Sequence, residues 1–85
     1  MQIRVHCFGA MREYLPDGSD GRSTSIEISD GGSVADAVEA LGAPRRLVHA
    51  VLLNDEPARL DSHLSDGDRL TLMPHYSGGQ EVHVG

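Results

Sequence analysis

The residues able to do chemistry are few and scattered. One cysteine, Cys7, could act as a nucleophile or sulfur acceptor. It alternates with Ile3 and Val5, so it faces the apolar side of a strand, and a buried, inert thiol is the better reading. The histidines, His6, His49, His63, His75 and His83, show neither i, i+4 pairing nor a C-x-x-C-like partner, and they read as solvated surface groups. Asp66-Gly67-Asp68 brings two carboxylates together, well short of the roughly 6–8 oxygens of a calcium cage, so a tight turn is preferred. Asp30-Gly31-Gly32-Ser33 stands before a helical stretch and could receive an anion at the helix N-terminus, although glycines after a strand are ordinary turn residues. Arg45-Arg46 and Arg12-Glu13 read as surface features. Gly78-Gly79 is either a turn that lets the alternating Glu81-Val82-His83-Val84 fold back, or a stretch without side chains that a partner could approach closely. No nucleophile–base pair and no phosphate-cradling loop is present, so an enzyme is disfavoured.

The bulk properties narrow the classes further. The chain has 85 residues, which fits one domain with a thin core. A formal charge of −6 repels phosphate backbones, and the absence of Trp removes a stacking platform, so nucleic-acid binding lacks support. No apolar run approaches the roughly 20 residues of a membrane span, and the N-terminus lacks a signal-peptide layout. A lone cysteine fits a reducing compartment, and a cytoplasmic location is expected.

The elements that must position these residues follow from hydrophobic spacing. Ile3, Val5 and Cys7 alternate, as do Ile26 and Ile28 within Ser25–Ser29, which predicts two strands. Met11 to Leu15 suits a short helical turn. Ser33 suits a helix N-cap, with Asp36 in a short capping box, and Val34, Ala37, Val38 and Leu41 form the apolar stripe. Gly42 suits the left-handed position after the helix, and Pro44 follows. Leu47 and Val48 touch the core through a short turn. Ala50–Leu53 is a covered strand, Asn54–Pro57 a turn, and Leu60 to Leu64 a short irregular or 3₁₀ piece. Ser65–Asp68 turns into a last strand, Arg69–Met73, which Pro74 stops. The order of elements predicts an α+β domain: a mixed sheet of four to five strands with one main helix packed on one face.

In order along the chain, Phe8-Gly9-Ala10-Met11-Arg12-Glu13, Ser33–Val38 with Leu41-Gly42, Val51-Leu52-Leu53-Asn54, Leu64-Ser65-Asp66-Gly67-Asp68-Arg69-Leu70, and Pro74 followed by Ser77-Gly78-Gly79 resemble the ubiquitin-like sulfur-carrier family. The likeness is to the molybdopterin-synthase small subunit, and the same pattern occurs in the thiamine sulfur carrier. Asp55 departs from the glycine usual at its position. The resemblance implies a β-grasp (ubiquitin-like) domain over residues 1–76 and a flexible tail over 77–85. It implies a carrier rather than an enzyme. The carboxylate of Gly79, preceded by Gly78, would be adenylated with ATP by a ubiquitin-activating-type partner and converted to a thiocarboxylate. A sulfur-acceptor enzyme would then consume it in cofactor or metabolite biosynthesis, of which molybdopterin is the nearest case. The carrier itself would bind no cofactor and no metal. Phe8, Leu52, Met73 and His75 are the expected partner-docking residues.

Residues 80–85 follow Gly79, and an amide carbonyl cannot be adenylated as a carboxylate can. A tail-trimming metallopeptidase would have to expose Gly79. The alternatives are an unprocessed ubiquitin-like interaction module without sulfur chemistry, and, ranked below both, activation at Gly85.

Overall fold

Alternation builds the first strand. In a computed structural model that describes residues 1–16 and 21–74, β1 (Gln2–Cys7) sends Ile3, Val5 and Cys7 into the core and leaves Gln2, Arg4 and His6 on the opposite face. β2 (Ser23–Glu27) returns antiparallel, with Ile3 opposite Ile26 and Val5 opposite Thr24. β2 starts two residues before the predicted strand and stops at Glu27, because its partner β1 begins at Gln2. Beyond that point Ile28 still donates its N–H to the Met1 carbonyl, at 3.0 Å.

The helix α1 (Val34–Leu41) starts where its cap chemistry requires. Ser33 N–H donates to Asp36 Oδ2 at 2.9 Å, and Asp36 N–H donates to Ser33 Oγ at 3.4 Å. Such a reciprocal pair stabilises a helix by about 1 kcal/mol. Val34, Ala37 and Val38 bury the inner stripe, while Leu41 packs on it half-buried. Gly42 ends the helix at φ +79°, its N–H donating to the Val38 and Glu39 carbonyls. Ala43 N–H also reaches the Val38 carbonyl, at 3.2 Å, which closes the left-handed exit.

A 3₁₀ segment, Arg45–Leu47, leads into β3 (Val48–Leu53). β4 (Glu56–Ala58) pairs antiparallel with β3, so Glu56 and Pro57 belong to a short edge strand and not to the turn predicted for Asn54–Pro57. Proline is admissible there because an edge strand has one side without a ladder. The turn itself is Asn54-Asp55, at φ 52° and 72°, conformations that asparagine and aspartate adopt with little strain. β5 (Arg69–Pro74) includes Pro74 as its last residue.

The sheet order is β2-β1-β5-β3-β4. β5, last in sequence, lies at the centre, parallel to β1 and antiparallel to β3. Leu70 and Leu72 therefore sit opposite Val5 and Cys7 on one side and Leu53 and Val51 on the other. Together with α1, Met11 and Leu64, they form the core. Burying each such side chain stabilises the fold by about 1.5–3 kcal/mol. Ile26, Ile28 and Leu53 are half-buried at its margin. No helix among the described residues is long and apolar enough to cross a membrane.

Candidate functional site: the open sheet face and the contact at Pro74

With α1 covering one face of the sheet, residues of the other parity define an open face. On β1 these are Gln2, Arg4 and His6, on β5 Arg69, Thr71 and Met73, and on β3 Ala50 and Leu52. The face is graded. Towards β2 it is polar: Arg4 donates from Nη2 to Ser23 Oγ at 2.9 Å and from Nη1 to Ser25 Oγ at 3.3 Å. Towards β3 it is apolar, with Met73 opposite Ala50 and Leu52 opposite the buried Thr71.

Phe8 extends the apolar part. Cys7 is opposite Leu72, so the next residues, Phe8 and Met73, come side by side, and Phe8 N–H donates to the Leu72 carbonyl at 3.1 Å. Phe8 is 54% exposed and is the one large hydrophobic residue so exposed among the described residues. Phe8, Leu52 and Met73, named from sequence as docking residues, thus share one face. His75, Gly78 and Gly79 lie outside the described residues.

The stretch after Phe8 folds as a 3₁₀ helix, Gly9–Tyr14, where the sequence suggested a turn over Met11–Leu15. Side chains three apart eclipse in this geometry. Met11, fully buried, and Tyr14 therefore share the inner side, while Gly9 and Arg12 share another. Gly9 takes φ +53°, and a Cβ there would lie 3.1 Å from Pro74 Cγ. The first turn of this helix thus lies against Pro74, the last described residue. Cys7, Phe8, Gly9, Arg12 and Arg22 line a cavity of about 240 Å³ beside that point. Neither Arg12 nor Arg22 was legible as a lining residue. The signal was the three-residue spacing of Gly9 and Arg12, which carries meaning only once the segment is known to be 3₁₀.

The remaining candidates are structural. Cys7 is buried, and desolvation pushes its thiol up to about 11, far from a nucleophile's range. The Asp-Gly-Asp turn ties chain segments together. Asp66 Oδ1 accepts from Gln2 N–H at 2.7 Å, and Asp68 accepts from Ser65 N–H at 2.8 Å and from Asn54 Nδ2 at 3.0 Å. Arg69 N–H donates to Asn54 Oδ1 at 2.9 Å, and the Arg69 guanidinium pairs with Asp55. These bonds pin the β3–β4 turn to the starts of β1 and β5. The helix N-terminus is also occupied: Val34 N–H donates to the Ser62 carbonyl at 2.9 Å and Ala35 N–H to the Leu60 carbonyl at 2.8 Å. An anion has no open donors to approach there, because the irregular segment from Leu60 to Leu64 crosses the helix start and supplies the acceptors. Among the described residues no group of three or more His, Cys, Asp or Glu could hold a metal ion.

The family model described as Mut7-C ubiquitin matches residues 1–78. The chain belongs to the Mut7-C ubiquitin family. Among solved structures, this ubiquitin-like chain is similar to SAMP1, small archaeal modifier protein 1, from Haloferax volcanii, with 29% identity and a TM-score of 0.70, over 93% of this chain and 100% of that one. It is also similar to a chain of the complex of subunits 1 and 2 of molybdopterin-converting factor from Helicobacter pylori, at 25% identity and a TM-score of 0.57, over 93% of this chain and 100% of that one. A putative molybdopterin-converting factor subunit 1 from Pyrococcus furiosus, 21% identical over 86% of this chain and 95% of its own, shares the fold with a TM-score of 0.66. No curated protein matches. The five-stranded mixed sheet with one main helix is the β-grasp arrangement expected of a ubiquitin-like small modifier or carrier.

Proposed function

We propose that this ubiquitin-like chain is a sulfur carrier whose body docks on partner enzymes through the Phe8–Met73–Leu52 face while its Gly78-Gly79 tail enters their active sites. The observation that carries the reading is the convergence of that apolar face with the departure of the chain at Pro74, in a fold similar to a small archaeal modifier and to molybdopterin-converting factor subunit 1.

The chemistry then resides at Gly79. A peptidase, a metallopeptidase by our reading, removes residues 80–85 and exposes the Gly79 carboxylate. An adenylating enzyme transfers AMP from ATP to that carboxylate and releases pyrophosphate. A sulfur nucleophile displaces AMP, and the resulting thiocarboxylate delivers sulfur to an acceptor enzyme. Glycines at the reacting end let the backbone pass through a narrow channel. ATP is the partner's substrate, and the carrier holds no cofactor. We place these steps in the cytoplasm.

Intact mass of the protein purified from its own cells tests the proposal. A chain ending at Gly79, part of it heavier by exchange of one oxygen for sulfur, supports it. Gly79→Ala in the trimmed chain should block thiocarboxylate formation and leave the fold unchanged. Residues 80–85 favour a second reading, an interaction module whose tail is never processed. A full-length, unmodified mass under growth that demands sulfur transfer selects that reading.

A further inference from the structure

The cavity between Phe8, Gly9, Arg12 and Arg22 has features that the apolar face does not explain. Gly9 and Arg12 both line it, and Gly9 contributes no side chain. Arg12 Nε donates to the Gly21 carbonyl at 3.0 Å, which fixes the guanidinium plane while its terminal nitrogens keep their donors. No carboxylate among the described residues pairs with Arg12. Arg45, Arg59 and Arg69 do pair, with Glu39, Asp61 and Asp55. Glu13, the adjacent acid, falls on a different side of the 3₁₀ helix from Arg12. Arg22 forms part of the cavity lining, and the exposed Phe8 ring stands at its edge, continuous with Met73.

We propose that this cavity receives an aspartate or glutamate side chain of a partner protein, with an apolar neighbour of that residue resting on Phe8. A fixed guanidinium with open donors matches a carboxylate, and the adjoining ring matches an apolar flank. A nucleic acid is disfavoured by the net charge of −6. The contact would sit at the base of the tail, because Gly9 abuts Pro74. An acidic anchor there holds the body in a set orientation as the tail is engaged. The inference concerns the body alone and holds whether or not the tail carries sulfur.

Titration of the ¹⁵N-labelled full chain with the probe peptide acetyl-Leu-Glu-Asp-amide tests it. The expected result is shifts confined to the Phe8, Gly9, Arg12 and Arg22 amides and the Arg12 Nε–H, weakened by salt. In Arg12→Gln the initial slope of those shifts should fall about tenfold, as for loss of a hydrogen-bonded charge pair. Phe8→Ala, which leaves the Arg12–Gly21 bond in place, should weaken the response while keeping its salt dependence. Equal shifts with the neutral peptide acetyl-Leu-Gln-Asn-amide, or an undiminished response in Arg12→Gln, would overturn the proposal. Because the titration reads the Phe8, Gly9, Arg12 and Arg22 signals and needs no trimming or activation of Gly79, failure here is separate from failure of thiocarboxylate formation.

Discussion

Replacing Gly9 with alanine isolates the contact that joins the 3₁₀ helix to the base of the tail. Two costs are involved. At φ +53° an L-residue is strained by about 1–2 kcal/mol, while the narrower unfolded ensemble of alanine returns about 0.4–1 kcal/mol. The new Cβ would also lie 3.1 Å from Pro74 Cγ, so the proline must give by a few tenths of an ångström, at a further cost of about 1 kcal/mol. Gly42→Ala provides the reference. Its φ of +79° imposes a similar backbone cost, but a Cβ there meets nothing within 4 Å. The expected losses are about 1 kcal/mol for Gly42→Ala and about 2 kcal/mol for Gly9→Ala, or drops in Tm of about 4–8 °C and 8–16 °C for a domain of this size. Thermal and urea unfolding of both variants provide the comparison. If Gly9→Ala melts with Gly42→Ala, or above it, Pro74 moves aside freely and the argument that the first turn braces the tail's base is wrong.

Other perturbations probe other parts of the fold. Met11→Ala should cost about 2–5 kcal/mol, measured by urea denaturation, because the side chain is fully buried beneath the 3₁₀ helix. Ser33→Ala should cost about 1 kcal/mol by loss of its half of the capping box, with the loss visible as faster amide exchange in the first turn of α1. Cys7 should resist iodoacetamide at pH 8 in the folded protein and react once urea unfolds it, since burial pushes its thiol up to about 11. The Arg59 side chain, by hydrogen bond and charge, lowers the Asp61 carboxyl below its ordinary 3.8. A depressed acid contributes stability above its unfolded pKa and loses it as pH falls through the folded one. NMR titration should therefore show Asp61 titrating below 3.8, and Arg59→Ala should raise it, with little change in Tm because the pair is exposed.

How far the sequence discloses this molecule depends on whether a residue's role is local. The capping box at Ser33 and Asp36, the stripe Val34, Ala37 and Val38, and the glycine exit at Gly42 are set within one helix, and spacing alone discloses them. The Ile3-Val5-Cys7 alternation discloses β1 and the fate of the thiol for the same reason. β4 was hidden because three residues including Pro57 carry no strand pattern, and only pairing with β3 defines them. The bounds of β2 were hidden because the length of β1 sets them. The role of Leu60 to Leu64 was hidden because its carbonyls serve a helix that lies far away in sequence. At the candidate site, Phe8, Leu52 and Met73 could be named from resemblance, but their common face follows from the β1–β5 and β3–β5 registers. Arg12 is exposed, as the sequence suggested, but its place beside Gly9 in the cavity lining follows only from the 3₁₀ period.

The central position of β5 has a mechanical consequence. β1 and β5 run parallel as neighbours, so the start of one and the end of the other leave the sheet at opposite ends. Tension applied to the chain beyond Pro74 and resisted at Gln2 acts along the strands, across the β1–β5 ladder. That ladder carries the load in shear, with its hydrogen bonds strained together, and not by peeling one bond after another as in a strand drawn off an edge. Under the proposed function, a partner that pulled the residues after Pro74 into its channel would load the body along its strands and leave it folded.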